Sequence, residues 1–162
     1  MVAVDASASM LQRASKPQAT SRLAIADIRR LPLRAESMDV VVCGLALTHF
    51  EHLGAPIAEL AHMLRPKGAM VISDIHPLAV ATGGQAYFTA ADGSRHMARN
   101  HVHWPSAYAK AFRSAGLTID RLEEHFVDEA FIQEMATPEI RAAAHSLLGL
   151  PLVIAWLVRK PT

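Results

Sequence analysis

The stretch LRPKGAMVISD, residues 64–74, decides the fold of this chain. It predicts the end of a helix, a tight turn and a buried strand, because Pro66 stops a helix and Gly68 gives the turn a permissive backbone. The run Ala69–Ile72 is apolar without alternation, which is typical of a parallel strand covered by helices on both faces. Polarity returns at Asp74, and open α/β sheets bind their ligands at such strand ends.

Strands and helices alternate around this stretch. Short apolar runs predict strands at Met1–Val4, Arg22–Ala26, Met38–Cys43, Leu117–Leu122 and Pro151–Val158. Helices are predicted after Ser7, from Pro56 to Leu64, from Ser106 to Ala115 with Ser106 as cap, from Asp128 to Met135 and from Pro138 to Leu147 with Thr137 as cap. This alternation favours a doubly wound sheet with right-handed crossovers.

Composition limits the kinds of partner. The chain has 162 residues, which suggests a single domain, and its net charge of +1 gives no argument for nucleic acid or an acidic membrane. Cys43 is the only cysteine, so an internal disulfide is excluded and a reducing, cytoplasmic setting is expected. The start shows no signal peptide pattern, and the apolar run Leu152–Val158 is far below the roughly 20 residues that span a bilayer. The tail from Arg159 to Thr162 is expected to be solvated.

The segment from Leu78 to Trp104 breaks the alternation. It contains turn-forming residues, including Asp92-Gly93, which indicate a small hairpin in a long excursion over the sheet edge. Such excursions are often lids or binding loops. The segment also holds His96, His101 and His103, but no cysteine or carboxylate completes a familiar metal site, so we expect a lid and no metal.

Two of the short strands end in a carboxylate, Asp5 and Asp27. At the end of a parallel strand, a carboxylate can accept hydrogen bonds from ribose hydroxyls or from an amino group. The alternative is that each aspartate caps the turn or helix that follows it. The sequence pattern alone leaves both interpretations open.

Several stretches, taken in order, resemble the class I S-adenosylmethionine-dependent methyltransferases, in particular the small-molecule methyltransferase type 11 group. The chain carries DASASML (residues 5–11), DIRRLPL (27–33), MDVV (38–41), LTH (47–49) and ELAHMLRPKG (59–68). The resemblance extends from Met1 to about Lys160. It implies one Rossmann-like domain over residues 1–162, with 78–104 as a lid, and a mostly parallel sheet whose last strand is antiparallel.

The resemblance also implies roles for individual residues. Asp5 would hold the ribose hydroxyls of S-adenosylmethionine, Asp27 the adenine amino group and the Ile28 backbone a ring nitrogen. The other residues implied at the cofactor are Ala6 and Met10 beside the adenine, and Cys43, Gly44 and Leu45 beside the methionine part. Methyl transfer from a sulfonium is an in-line displacement that needs a base only for some acceptors. His76 and His49, which follow two central strands, are the candidate bases, with His76 ranked first; each could also be an ordinary loop histidine.

One feature departs from the family. Its first strand and glycine-rich loop precede the acidic motif, whereas no Gly-x-Gly pattern occurs before Asp5. We expect either an amino-terminally truncated domain with impaired cofactor binding or a missing piece that is supplied from elsewhere. The strands ending at Asp5 and Cys43 would then lack their common neighbour. Direct pairing of the two satisfies most backbone groups, so it is the expected outcome; a homodimer through the unpaired strands and an open gap are the alternatives.

The sequence thus predicts S-adenosylmethionine-dependent methyl transfer to a small molecule. A non-catalytic remnant or pairing subunit of the same fold is the alternative. A nucleotide-dependent oxidoreductase is a third, against which the Leu-Pro after Asp27 and the Arg-Pro-Lys-Gly turn weigh.

Overall fold

The computed structural model describes residues 1–14, 22–89, 92–134 and 144–162. Most of the helix predicted from Pro138 to Leu147, and its cap Thr137, lie outside the described residues. The strands of the described part are β1 (Val2–Asp5), β2 (Arg22–Ile25), β3 (Met38–Gly44), β4 (Leu64–Ile75), β5 (Ala86–Thr89), β6 (Arg95–Ala98), β7 (Thr118–Phe126) and β8 (Pro151–Arg159). The helices are α1 (Ala8–Ala14), α2 (Gly54–Met63), α3 (Pro77–Ala81), α4 (Pro105–Ser114) and α5 (Glu129–Gln133), with a 3₁₀ turn at Leu47–His49.

The strands form three sheets. β1 and β2 pair in parallel, β5 and β6 form the hairpin predicted around Asp92-Gly93, and the main sheet has the order β3-β4-β8-β7. β3 and β4 are parallel, whereas β8 is antiparallel to both of its neighbours. The α/β class and the antiparallel last strand are therefore confirmed.

The core lies between one face of the main sheet and the helices α2 and α4. Ile72 and Met70 of β4 are fully buried in a cluster with the apolar side of α2 and with Tyr108 and Phe112 of α4. The opposite face is different, since Val71 is 39% exposed, and Val40 and Val42 of β3 are 58% and 74% exposed. The expectation that both faces are covered is wrong for these positions, because apolar residues on an uncovered face give the same unbroken run.

The segment that was predicted as a turn lies inside β4, where the pairing with β3 has an irregularity, and it differs from the expectation. The left-handed residue is Lys67, with φ of 67°, and Gly68 is required for another reason: a Cβ there would lie 2.9 Å from the carbonyl oxygen of Arg65. Lys160 of the tail closes this turn, because its backbone oxygen accepts from Lys67 N at 2.9 Å and its Nζ donates to Leu64 O at 2.9 Å. Lys160 is therefore packed, contrary to the expectation of a solvated tail.

Helix α4 begins one residue earlier than expected. Trp104 is the N-cap and Pro105 the first helical residue, so Ser106 lies inside the helix. Proline suits that position because its fixed φ and missing N–H cost nothing there. The helix α3, which starts at Pro77, directly before the excursion, was not foreseen.

The expected pairing of β1 with β3 does not occur. Within the described residues β1 pairs only with β2, and β3 pairs only with β4. Each strand therefore keeps one unpaired edge, which is the open-gap outcome. Both edges offer free backbone groups for pairing with another strand.

Candidate functional site

The carboxyl ends of β1 and β2 bring the two predicted carboxylates close together. The strands are in parallel register, Asp5 pairs with Ile25, and the backbone N–H of Ala26 donates to Asp5 O at 3.1 Å. Asp27 follows directly. The side chain of Asp5 accepts one backbone hydrogen bond, from Ser7 N to Oδ1 at 2.7 Å, and Oδ2 makes no hydrogen bond to another described residue. Asp5 therefore both caps the turn into α1 and keeps an oxygen for a ligand hydroxyl.

Asp27 forms an ion pair with Arg29, which the sequence motif did not predict. The Arg29 side chain donates to both carboxylate oxygens, at 2.6 Å for the shortest pair, and Arg29 N donates to Oδ1 at 2.8 Å. These hydrogen bonds lower the pKa of Asp27 to about 2. An adenine amino group would share this carboxylate with Arg29, whose guanidinium also lies 5.5 Å from the centre of the Phe50 ring.

The other residues implied at the cofactor fall into two groups. Ala6 and Met10 are exposed beside Asp5, and Ile28 is half-buried against the core cluster. At the end of β3, Gly44 and Leu45 are exposed, whereas Cys43 is buried and burial raises the pKa of its thiol to about 12. Cys43 is thus an apolar wall, as a small buried cysteine usually is.

Leu45 lies in a strained conformation. Its φ is 52°, which is uncommon for a leucine, and its N–H donates to Ser73 O on β4 at 2.8 Å. This hydrogen bond fixes the chain where it leaves β3. Such backbone outliers cluster at functional sites, which agrees with a place beside a reacting group.

The two candidate bases have different surroundings. His76 is buried; its Nε2 contacts Glu124 Oε1 at 2.9 Å and its Nδ1 accepts from Leu78 N at 3.2 Å, so both nitrogens are engaged. His49 is exposed, and its Nδ1 lies 3.2 Å from Arg99 O. A carbonyl can only accept, so Nδ1 carries the proton and Nε2 keeps a lone pair. The geometry therefore favours His49 as a base, the reverse of the ranking from the sequence.

Asp74 was noted at the end of the deciding strand but given no role. Its side chain is fully buried, accepts from Tyr108 Oη at 2.9 Å and from Ile75 N at 3.0 Å, and has a pKa raised by burial, an effect that the Tyr108 hydrogen bond partly opposes. Tyr108 is buried on α4. The sequence signal for Asp74 was a carboxylate directly after an apolar run. Its partner Tyr108 could not be predicted, because it lies 34 residues away in sequence.

Two histidines of the excursion, His101 and His103, pack beside the turn that follows β3, whereas His96 lies on the hairpin with its Nε2 2.7 Å from Ser94 Oγ. His101 N donates to Thr48 O at 2.7 Å, and His103 Nε2 lies 2.7 Å from Phe50 O. In the described part of the chain, no group of three or more potential metal ligands lies close together. Likewise, none of the described helices is long and apolar enough to cross a membrane.

Part of the sequence matches known proteins. Residues 1–72 match the model of a family described as methyltransferase domain, so the resemblance seen in the sequence is confirmed there. The malonyl-(acyl-carrier protein) O-methyltransferase of Yersinia pestis is 31% identical over 97 residues, which are 60% of this chain and 36% of that protein. The chain thus spans well under half the length of this relative.

Solved structures extend the likeness over nearly the whole chain. An S-adenosylmethionine-dependent methyltransferase from Mesorhizobium loti matches with a TM-score of 0.71 and 24% identity, covering 98% of this chain and 80% of that one. The (4+2)-cyclase SpnF matches with a TM-score of 0.65 and 16% identity, covering 99% and 71%. The fold is therefore that of these proteins. SpnF shows that a protein with this fold is also named for another reaction.

Proposed function

We propose that this chain is an S-adenosylmethionine-dependent methyltransferase domain that transfers a methyl group to a small acceptor. The observation that carries the proposal is the meeting of Asp5 and Asp27 at the carboxyl edge of β1 and β2, within the 72 residues that match the family. Strand ends of this kind are where α/β sheets bind nucleotide-like ligands.

The residues present suit the cofactor. Oδ2 of Asp5 would accept a ribose hydroxyl, and the exposed side chains of Ala6 and Met10 offer an apolar surface to the adenine. Asp27 would accept from the adenine amino group while Arg29 neutralises its charge, and the backbone N–H of Ile28 makes no hydrogen bond to another described residue. Cys43, Gly44 and Leu45 would line the methionine part. The bound cofactor supplies an activated methyl group on a sulfonium.

His49 is the residue that we assign to proton removal. Its Nε2 would take the proton of an acceptor hydroxyl or ammonium, while Arg99 O holds the ring through Nδ1. The name of the Yersinia pestis relative points to a different acceptor, an acyl group with a free carboxylate. Such a carboxylate is already ionised at neutral pH and needs no base, so His49 would then only position it.

A methyl-transfer assay tests the proposal and separates these two roles. Labelled S-adenosylmethionine is incubated with a malonyl thioester or with hydroxyl and amine acceptors, and the rate is followed against pH for the wild-type chain and for His49→Ala. We expect about 10²-fold or greater loss with a hydroxyl acceptor and a much smaller loss with a carboxylate. His125→Ala, an exposed histidine on β7, is the matched control. Absence of transfer to every acceptor would count against the activity.

A second candidate is a non-catalytic remnant or pairing subunit, which the free edges of β1 and β3 favour. The same edges support two further proposals. One is that cofactor binding by this chain is weak, because the site lies between two sheets whose described strands are not paired with each other. The other is that two copies associate through these strands. Residues 78–104 would act as a lid over the acceptor. A cytoplasmic location is supported by the single cysteine.

A further inference from the structure

The positive charges of this chain are unevenly distributed. Residues 93–119 contain Arg95, Arg99, Lys110 and Arg113, together with three histidines, but neither aspartate nor glutamate. Over the whole chain, 16 basic residues are nearly balanced by 15 acidic ones. The excess of cations is therefore a local property of this segment.

These four cations are available to a partner. All are exposed, and none forms an ion pair with another described residue. Arg95 instead lies over the ring of Tyr87, 4.8 Å from its centre. Some exposed arginines elsewhere are paired, as Arg65 is with Asp39 and Arg121 with Glu123. The charge of this segment is thus largely uncompensated.

Hydrogen bonds place the segment beside the candidate site. Arg99 O contacts the ring of His49, and His101 N bonds to Thr48 O, directly after the end of β3. Lys110 continues the surface, since it lines a groove of about 300 Å³ together with His52 and His103. Glu51 is the one carboxylate in that groove. Arg113 lies three residues after Lys110 on α4, hence on nearly the same side of the helix.

Exposed apolar side chains lie among the cations. Trp104 and Val102 are exposed next to His103, and Tyr87 and Met97 are exposed on the hairpin with Arg95. Arginine and aromatic residues are enriched in protein interfaces. A protein that contacts six to ten phosphates needs about as many cations, and nucleic-acid-binding domains typically have a pI above about 9, whereas residues 93–119 have four cations and the sequence pI is about 8.0. The composition therefore favours an acidic protein.

We propose that the surface formed by Arg99, Lys110, Arg113 and Trp104 docks an acidic acyl-carrier protein that presents the acceptor group to the candidate site. This inference rests on the proposed function and deepens it, because it states how the acceptor is delivered. The negative partner would be steered to the cations, and Trp104 would supply apolar contact.

Calorimetric titration of the full chain with malonyl-acyl-carrier protein, without S-adenosylmethionine, tests the proposal. The double variant Arg99→Glu/Lys110→Glu should lose about tenfold or more in affinity, and added salt should weaken wild-type binding. Arg34→Glu/Lys67→Glu makes the same change of charge at the other end of β3 and β4, at two exposed cations without ion pairs, and should bind like the wild type.

Two results would overturn the docking surface. One is equal affinity of the two double variants for the carrier protein, or no binding by the wild type. The other is that the wild-type chain binds a single-stranded RNA more tightly than the carrier protein and that Arg99→Glu/Lys110→Glu loses this RNA binding. That result would assign the surface to nucleic acid. S-adenosylmethionine affinity is measured in parallel and should be the same in both variants. If the wild-type chain binds the carrier protein but not S-adenosylmethionine, the proposed function fails and the docking surface stands.

Discussion

Tyr108 Oη donates a hydrogen bond to Asp74 Oδ2 at 2.9 Å, and both side chains are almost completely buried. The pair joins the end of β4 to α4. Burial raises the pKa of Asp74 and, together with the nearby carboxylate, raises the pKa of Tyr108. The charged form of Asp74 is thus the disfavoured form in the folded protein.

Asp74→Asn should change how stability depends on pH. Because the folded pKa of Asp74 is raised, the folded state binds the proton more tightly, and its stabilising contribution is complete below the ordinary pKa of 3.8. The free energy of unfolding of the wild type, relative to the variant, should fall as pH rises from 3.8 through the raised pKa. Urea unfolding at a series of pH values measures it.

Asp27→Asn is the control for this experiment, with the opposite sign. The pKa of Asp27 is lowered to about 2, so its contribution is present above the ordinary value of 3.8 and lost as pH falls towards 2. A flat difference between wild type and Asp74→Asn across the range would contradict the buried carboxylate.

Ile72→Ala should destabilise the protein by about 2–5 kcal/mol, because a fully buried side chain leaves a cavity in the core. Val71→Ala, the neighbouring change on the uncovered face, should cost less than about 1.5 kcal/mol. Denaturant unfolding of both variants checks the assignment of the two faces. Equal losses would mean that β4 is covered on both sides after all.

Hydrogen exchange should separate two parts of the excursion. Backbone amides of β5 and β6 should exchange fastest, since this hairpin is a two-stranded sheet with mostly exposed residues. The amide of His101, bonded to Thr48 O, should be slower. Exchange as slow in the hairpin as in β4 would show that the hairpin belongs to the core.

The sequence predicted the positions of helices and strands better than it predicted which of their faces are covered and which strands pair. The helical spacing of apolar residues predicted α2 and α4, because the buried residues of these helices repeat at that spacing. The apolar run Pro151–Val158 predicted the last strand. An apolar run does not show which face is covered, so the exposure of Val40 and Val42 was missed. Likewise, strand partners depend on contacts far apart in sequence, and β1 and β3 were wrongly expected to pair.

The candidate site was predicted in part. The sequence predicted that Asp5 and Asp27 follow two strands, and these strands pair in parallel, so that both residues lie at the same edge of the sheet. The partners of His76 and His49 could not be inferred, since Glu124 and Arg99 lie 48 and 50 residues away in sequence. Those partners decide which ring nitrogen is free, and hence which histidine can accept a proton.

The exposed valines of β3 predict self-association. Two copies could pair along the free edges of β1 or β3, where Val40 and Val42 add exposed apolar area. Sedimentation velocity of the wild type should show a concentration-dependent dimer, and Val40→Lys/Val42→Lys should remain monomeric. A wild type that is monomeric up to about 100 μM would remove the proposed homodimer.

The most direct test of the central claim is calorimetric titration of S-adenosylmethionine into the wild-type chain and into Asp5→Ala. The account predicts binding by the wild type and a loss of roughly 1.5–3 kcal/mol in the variant, about tenfold or more in affinity, because ribose hydroxyls lose a charged acceptor. Asp39→Ala removes an exposed carboxylate at the amino end of β3 and should bind like the wild type. Failure of the wild type to bind, or equal affinity of Asp5→Ala and wild type, would contradict the account.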